Sequence, residues 1–569
     1  MLLKFIRVRC SYIAIAFLGF TVHCSDTRWE DSYREAAKRS LTPDVDLILV
    51  PEIYSNIDEE WLIQEKITSF TKSQIESELK QYGRSWDEFY QFNKDKIEID
   101  GDIIKLRTEG STHATNYHYD KSIPLVFYGK KFIHSGLYQD RVFQQHIVPT
   151  VAKILNSPVP NNAKLSPIHK IVKNINIDSP KPEIVVTIVI DQGGFMLLRS
   201  HPNSFPNIKR LMHKGAYFPN AEVGHIDAHT GVGHVAIGTG AFPKDHKIIA
   251  NDWTFRNPGK QKSRKRPVYQ MDDGSITPDD MMSESLADVW DAFRENKPII
   301  ISQCYAVRAS IGMAGHGAMY KPGTDISDKD FVYWIHKYEL EWMTSGDFYQ
   351  LPPITMNYSF LPYHVSNNPK PWWRDQNITV RDLVENFYPT VATPTQAKLE
   401  GELFRSVLRA EIIDKGMHQD GETDLAYVTL KATDAVGHRH GYESEEARLV
   451  LEETDRQVGL IWEMLEQEWG DGYILILTAD HGASPLREFS RGMYLKYASL
   501  LTEVDSLLPE QEREENTLIN YYTSGMIALN KKTMERFSIS EYQIIQKILS
   551  IEVDGKRFYR KIYQRKDLE

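Results

Sequence analysis

Three apolar runs in this chain each stop at or near an aspartate, and that repeat constrains its fold more than any other feature. Ile184 to Ile190 (IVVTIVI) is followed by Asp191 and Gly193-Gly194. Asp424 to Leu430 (DLAYVTL) runs on to Thr433-Asp434. Tyr473 to Leu477 (YILIL) leads into Thr478-Ala479-Asp480-His481-Gly482. Short, β-branched, uninterrupted apolar runs read as strands buried on both faces, the habit of parallel sheets. Leu47 to Val50 and Leu125 to Tyr128 read as two further strands. Between such runs, Ser444 to Trp469 carries Leu449, Leu451, Val458, Ile461, Met464 and Leu465 among many charges, the pattern of an amphipathic helix. The alternation predicts an α/β fold, with a mostly parallel central sheet flanked by helices. Ligands of open α/β sheets bind at the carboxyl ends of the strands. The three aspartates are therefore expected to converge on one site.

Composition narrows the class of function. The 569 residues are 41% hydrophobic and 25% charged, values of a globular chain with ample material for a large core. A net charge of −11 argues against a nucleic acid duplex as partner, because a phosphate backbone needs a basic footprint. It leaves small phosphorylated substrates open, since bound metal ions supply local positive charge. Lys4, Arg7 and Arg9 precede the apolar run Ser11 to Val22, and polar sequence follows from Ser25. That order predicts a secretory signal peptide over residues 1–24 and a periplasmic or extracellular location. Its removal leaves a net charge of about −14. Cys24 offers a possible lipid anchor, and only through it is membrane attachment expected. Cys10, Cys24 and Cys304 form no Cys-x-x-Cys pair, so a metal would be held by histidines and carboxylates. Pro-rich polar stretches at Asn156 to Ser166 and Ser179 to Glu183 read as linkers, and Lys260 to Asp280 as an exposed loop.

The chemistry concentrates at the strand ends. His438 follows Asp434 by four residues and His481 follows Asp480 directly. One aspartate after a strand is usually a turn former or helix cap. Three of them, two with nearby imidazoles, make a donor set suited to Zn²⁺ or a similar divalent ion. In Asp227 to Trp253 (DAHTGVGHVAIGTGAFPKDHKIIANDW), Thr230 precedes Gly231 and Gly233, which allow a tight turn into a helix whose first amides would face an anion. A threonine hydroxyl is a weak nucleophile that a metal ion activates. His234 is expected to be a packed residue of that helix, and His225, His229 and His246 have no partner that the sequence assigns.

Together, Asp191, Thr230-Gly-Val-Gly-His234, Asn251-Asp252-Trp253, Thr433-Asp434-x-x-Gly437-His438 and Thr478-Ala-Asp480-His481-Gly482 resemble the alkaline phosphatase superfamily. The likeness is greatest to the threonine-nucleophile alkaline phosphatases and the nucleotide pyrophosphatase/phosphodiesterases. The motifs keep the family order over about 300 residues. The resemblance implies two zinc ions. One would be held by Asp191, Thr230, Asp480 and His481, the other by Asp434, His438 and one further histidine. It also implies attack by Thr230 on phosphorus through a phosphothreonine intermediate, with Asn251 binding a non-bridging oxygen.

The order of one motif departs from the family. A pattern that closes related chains, HGSPYxYDxHVPLxFYG, is matched here near the front, from His113 through His118, Asp120, Ser122 and Pro124 to Gly129. Residues 40–170 thus resemble the family's C-terminal part, and 183–569 its main catalytic part, with an insert at about 310–400. The expectation is one circularly permuted domain over 40–569, the alternative being the remnant of a duplication. Counting along the pattern puts the metal-binding histidine at Ser122, a poor zinc ligand, and gives His113 a non-catalytic role. His113 or His118 could substitute only if the loop were rearranged. A second departure is at Cys304 to His316, where Arg308 is kept but Ala306 stands where phosphomonoesterases carry lysine. Either a dianion is bound less well or a lysine from elsewhere fills the space. The expected function is a secreted, zinc-dependent phosphoester hydrolase using Thr230, Asn251 and Arg308, on monoester or diester substrates. The alternative is a degenerate relative that binds phosphorylated ligands without efficient turnover. Trp334, Tyr358, Tyr363, Trp372 and Trp373 are expected to be packing residues rather than a stacking platform for a leaving group.

Overall fold

The computed structural model describes residues 29–58, 66–173, 179–255, 264–317, 330–336, 340–359, 363, 392–523 and 525–569. The expected signal segment, Cys10, Cys24, Trp372 and Trp373 lie outside them. The centre is a ten-stranded mixed sheet. Its parallel heart runs, in spatial order, Phe331–Ile335, Ile300–Gln303, Asp424–Leu430, Ile184–Ile190 and Tyr473–Ala479. The runs read as strands from their apolar character are strands, and every residue of Ile184–Ile190, Asp424–Leu430 and Tyr473–Ala479 is buried. Ile184 aligns with both Asp424 and Tyr473, so the three strands finish level and their terminal aspartates emerge on one edge.

Beyond Tyr473–Ala479 the sheet changes direction. Ser122–Tyr128 pairs antiparallel with it, Leu475 opposite Tyr128, and on its other side antiparallel with Ala216–Glu222. A strand from the front of the chain therefore sits inside the central sheet. Leu47–Pro51 does the same in a second, six-stranded sheet, between Met526–Leu529 and Tyr559–Gln564 near the end of the chain. Helix Glu445–Glu468 is capped by the Ser444 side chain and lays Val450, Leu451, Val458, Ile461, Trp462 and Leu465 on the sheet. On the opposite face, helices Thr230–Thr239 and Val307–Ala314 pack together at their glycines. A Cβ at Gly238 would lie 2.4 Å from the Gly312 carbonyl oxygen.

Among the described residues no helix is long and apolar enough to cross a membrane. One sequence expectation fails here. Within Lys260 to Asp280, Arg264–Pro267 is a strand paired with Asp252–Phe255. Val268 and Tyr269 are buried, and Arg266 grips Asp280 with two hydrogen bonds of 2.9 and 3.1 Å. The basic residues disguised a hairpin whose neighbouring apolar pair is core. Trp334 is buried in the core, Tyr358 bonds Ser406 and Tyr363 bonds Glu402, which is packing as expected.

Candidate active site

The edge where the three parallel strands end carries Asp191, Asp434, Asp480 and His481, all buried. Asp191 directly follows Ile184–Ile190, and the next residue, Gln192, takes a left-handed φ of 56°. The Gln192 amide is held by Asp480 Oδ1 at 3.0 Å, and its side-chain amide reaches Asp434 Oδ1 at 3.3 Å. A residue held in the left-handed region by two such bonds marks a place where the fold fixes a site. Asp434 and His438 lie one turn apart on helix Ala432–His440. Thr230 is the first residue of helix Thr230–Thr239. That helix is drawn against the strand end by Gly233, where a Cβ would meet the Asp480 carbonyl oxygen at 2.8 Å and its Cβ at 2.9 Å. The glycine after Thr230 is matched to Asn251, whose Oδ1 accepts the Gly231 N–H at 2.8 Å. Arg308 lies beside the same helix start, and its buried Nε has no hydrogen-bond partner.

The imidazoles show which donors the site offers. His113 Nδ1 is 2.6 Å from the Ala228 carbonyl oxygen, His438 Nδ1 is 3.0 Å from that of Ser111, and His481 Nδ1 is 2.9 Å from that of Gly482. A carbonyl only accepts, so each Nδ1 carries the proton and each Nε2 presents a lone pair. Those lone pairs converge. His113 Nε2 and His438 Nε2 are 3.2 Å apart, with Asp434 Oδ1 at 3.7 and 3.3 Å from them. His481 Nε2 faces Asp480 Oδ2 at 3.2 Å and Asp191 Oδ1 at 3.7 Å. Asp191 Oδ1, Asp480 Oδ2 and His481 Nε2 are buried without a hydrogen-bond partner. Lone pairs facing lone pairs in a dry site need a cation, and carbonyl-anchored imidazoles are how proteins aim histidine at a metal. Among the described residues, two groups have the reach to hold one, His113 with Asp434 and His481, and Asp191 with Asp480 and His481.

Electrostatics agree. Burial, with the neighbouring imidazoles, keeps His113 neutral by pushing its pKa well below the ordinary value. Burial likewise lowers His481. Burial and then Asp191 raise Asp480, while burial raises Asp191 to about 6 against the pull of Lys431. Burial opposes ionisation of Asp434 too, but Lys431 overcomes it and holds that carboxyl far below its usual range.

The structure corrects the expectation about the third histidine. Ser122 is the first residue of its strand, half-buried and opposite Glu222, and His118 packs against the rings of Tyr54 and Tyr119. His113 is the residue that stands among the carboxylates. Counting along the pattern gives the ligand role to its second histidine, whereas the loop from Gly110 to Asn116 carries the first one into the site. His234 is a packed residue, bonded to the Thr230 carbonyl at 2.8 Å and Thr429 Oγ1 at 2.9 Å. His229 bonds Asp227 and lies edge-on to His113. The sequence reading missed Lys431 entirely. Its Nζ is 2.8 Å from Asp191 Oδ2, 2.6 Å from Asp434 Oδ2 and 3.2 Å from Thr230 Oγ1. Its place one residue past the Asp424–Leu430 strand was the signal that could have found it.

A threonine at a helix start, beside buried carboxylates and imidazoles at the edge of a parallel sheet, is the arrangement expected of the alkaline phosphatase superfamily. Comparison with known proteins agrees. The crystal structure of the alkaline phosphatase PafA superposes with a TM-score of 0.53, at 20% identity, over 65% of this chain and 76% of that one, which establishes the shared fold. In sequence the chain is 24% identical over 336 residues to alkaline phosphatase PafA of Elizabethkingia meningoseptica, covering 54% of this chain and 60% of that protein. It is 26% identical over 338 residues to alkaline phosphatase PhoK of a Sphingomonas species, covering 56% and 58%. Human ectonucleotide pyrophosphatase/phosphodiesterase family member 7 is 30% identical over 197 residues, 31% of this chain and 41% of that protein. The matches span about three fifths of the length of those alkaline phosphatases. Residues 185–567 match the family model of type I phosphodiesterase / nucleotide pyrophosphatase, and the chain belongs to that family.

Proposed function

We propose that this protein is a zinc-dependent phosphoester hydrolase that acts through a phosphothreonine at Thr230. The observation that carries the reading is the convergence of unprotonated Nε2 atoms and carboxylate oxygens beside the Thr230 hydroxyl. Zinc fits the donor set, imidazole nitrogen and carboxylate oxygen without thiolate. His113, Asp434 and His438 would form one ligand group, and Asp191, Asp480 and His481 with Thr230 the other. Bound there, zinc would supply Lewis-acid activation of the hydroxyl and neutralise charge on the phosphoryl oxygens.

The chain's own groups do the rest. The helix start presents the Thr230 hydroxyl in a fixed direction and its first-turn amides favour an anion. Asn251, tied to the Gly231 amide by Oδ1, has its Nδ2 group as donor to a phosphoryl oxygen, and Arg308 is the cation for a second oxygen. Thr230 Oγ bonds phosphorus as the bond to the leaving oxygen breaks, and its proton passes to solvent. Water then attacks the phosphothreonine and restores the hydroxyl. The substrate is a small phosphorylated molecule, met outside the cytoplasm if the expected signal peptide over residues 1–24 directs export. We read residues 40–569 as one circularly permuted domain. What supports this is that Ser122–Tyr128 fills a place in the catalytic sheet although the family match begins at residue 185.

The test is steady-state hydrolysis of an aryl phosphate monoester and an aryl phosphate diester with added zinc, for wild type, Thr230→Ala and Asn251→Ala. Thr230→Ala is expected to abolish turnover and Asn251→Ala to lower kcat by roughly 100- to 1,000-fold, the scale for losing one oxyanion donor. The faster ester assigns the substrate class. Turnover that survives Thr230→Ala overturns the nucleophile, and no turnover in the wild type makes the chain a phosphate-ester binder.

A further inference from the structure

A small three-stranded sheet lies ahead of the His113 loop, outside the family match that begins at residue 185. Its strand Lys66–Thr71 pairs antiparallel with Ile103–Thr108, which pairs in turn with Ile97–Asp100. Side chains alternate along a strand, so Lys66, Thr68 and Phe70 share one face. Thr68 Oγ1 lies 3.1 Å from His440 Nδ1, which lays that face on the end of helix Ala432–His440. Lys66 is opposite Thr108, and two residues further on Gly110 sits so tightly on the His438 carbonyl that a Cβ would have no room. The packing therefore brings Lys66 beside Arg439, the residue that follows His438. Both are half-buried, and burial and then the Arg439 charge lower Lys66 to about 8. Among the described residues neither cation has an ion pair or a hydrogen-bond partner. Glu446 is the carboxylate whose charge reaches Arg439, and both of its oxygens are held by the Ser69 N–H at 3.2 Å. His440 supplies no counter-charge, because burial and then the two cations keep it neutral. Two cations packed together repel, and an anion entering between them turns that cost into attraction.

We propose that Lys66 and Arg439 form an anion subsite for the leaving group, so that the preferred ester carries a second anionic group, phosphate or carboxylate, on its alcohol side. The inference rests on the reading of the site as a phosphoester hydrolase centre with Thr230 as nucleophile. In an in-line displacement at a two-metal centre, one ligand group serves the attacking oxygen and the other the leaving oxygen. Thr230 belongs with Asp191, Asp480 and His481, so the leaving oxygen departs past His113, Asp434 and His438. Arg439 adjoins His438 in the chain, and Lys66 packs where the His113 loop begins, so the two cations flank the departing alcohol. An ester whose alcohol ends in a hydroxyl leaves them unpaired, and one that ends in an anion neutralises them.

The experiment measures binding and needs no turnover. The purified full chain, loaded with zinc, is titrated by isothermal titration calorimetry with α,ω-alkanebisphosphonates of increasing chain length and with hydroxyalkylphosphonates of the same lengths. Lys66→Gln, Arg439→Gln and Arg439→Lys are titrated alongside. The wild type is expected to bind a bisphosphonate of matching length more tightly than its hydroxyl counterpart, by roughly 10- to 100-fold, the scale of a hydrogen bond to a charged group. That ratio should fall toward one in both glutamine variants and persist in Arg439→Lys. Each ratio is taken within one protein, so a general loss of affinity cancels. A wild-type ratio of one at every length overturns the proposal without reference to any variant, so a misfolded substitution does not rescue it. A preference that survives in either glutamine variant overturns it as well. Thr230-dependent hydrolysis of simple esters together with a ratio of one would sink the subsite and spare the function. Absent hydrolysis with the expected ratios would do the reverse.

Discussion

His316 should stabilise this protein only while it is charged, and removing it should therefore cost stability in acid and not in base. Its Nε2 is 2.9 Å from the Met281 carbonyl oxygen, an acceptor that requires a proton on that nitrogen. Its Nδ1 is 2.8 Å from Asp288 Oδ2. Burial disfavours the imidazolium, yet the Asp288 hydrogen bond and charge more than offset it and raise the pKa from 6.5 to about 9. The free energy behind that rise, at about 1.4 kcal/mol per unit, is roughly 3 kcal/mol. Because the folded value lies above the unfolded one, the contribution is fully present below about pH 6.5 and is lost as the pH climbs through about 9. For a chain of this length the entropy of unfolding converts roughly 3 kcal/mol into a melting shift of about 3 °C. The clip also matters to the site. It closes the Arg308 helix just after Gly315, which has a φ of 88° and where a Cβ would lie 2.3 Å from Ser285 Oγ and 2.4 Å from an Asp288 carboxylate oxygen. Melting of wild type and His316→Ala by circular dichroism, at about pH 6 and about pH 10, should show a gap of about 3 °C in acid that shrinks toward zero in base. A gap of equal size at both values refutes the argument, because a packing loss does not titrate.

Two further outcomes bear on the centre itself. His113→Ala should retain less zinc than the wild type and be inactivated by a weak chelator that spares the wild type, whereas Ser122→Ala should match the wild type in both; metal analysis and residual activity read the two outcomes. Gly233→Ala should lower kcat and destabilise the fold by about 1–3 kcal/mol, the usual cost of overpacking, since the new methyl meets the Asp480 backbone; a variant with wild-type melting and turnover would show that the helix start is not held against the strand end.

How far this was legible in the sequence depends on whether function was written in local spacing or in long-range approach. The strands were legible because burial on both faces leaves an unbroken β-branched run, as in Ile184–Ile190, and their aspartates were legible because parallel strands in register end level. The aligned triplet Ile184, Asp424 and Tyr473 turns three separate sequence positions into one site edge. Strand Arg264–Pro267 was not legible, because an exposed edge strand tolerates a run of three basic residues, Arg264, Lys265 and Arg266, that reads as a loop. His113 and Lys431 failed for a deeper reason. His113 reaches the site on a loop whose course is set by backbone hydrogen bonds from Ser111 to Gly437 and from Ser484 to Thr112, contacts more than 300 residues apart in the chain. A motif match counts residues along one segment and cannot see which of two histidines such a loop turns inward. Lys431 failed because a lysine beyond a strand is ordinarily a solvated residue. Only the finding that both carboxylates around it are buried makes it part of the centre. In a dry site the charges must balance in place, so the residue to look for beside converging aspartates is the cation that the motif does not mention. Here that residue lies between the two groups of carboxylates and imidazoles and touches the Thr230 hydroxyl.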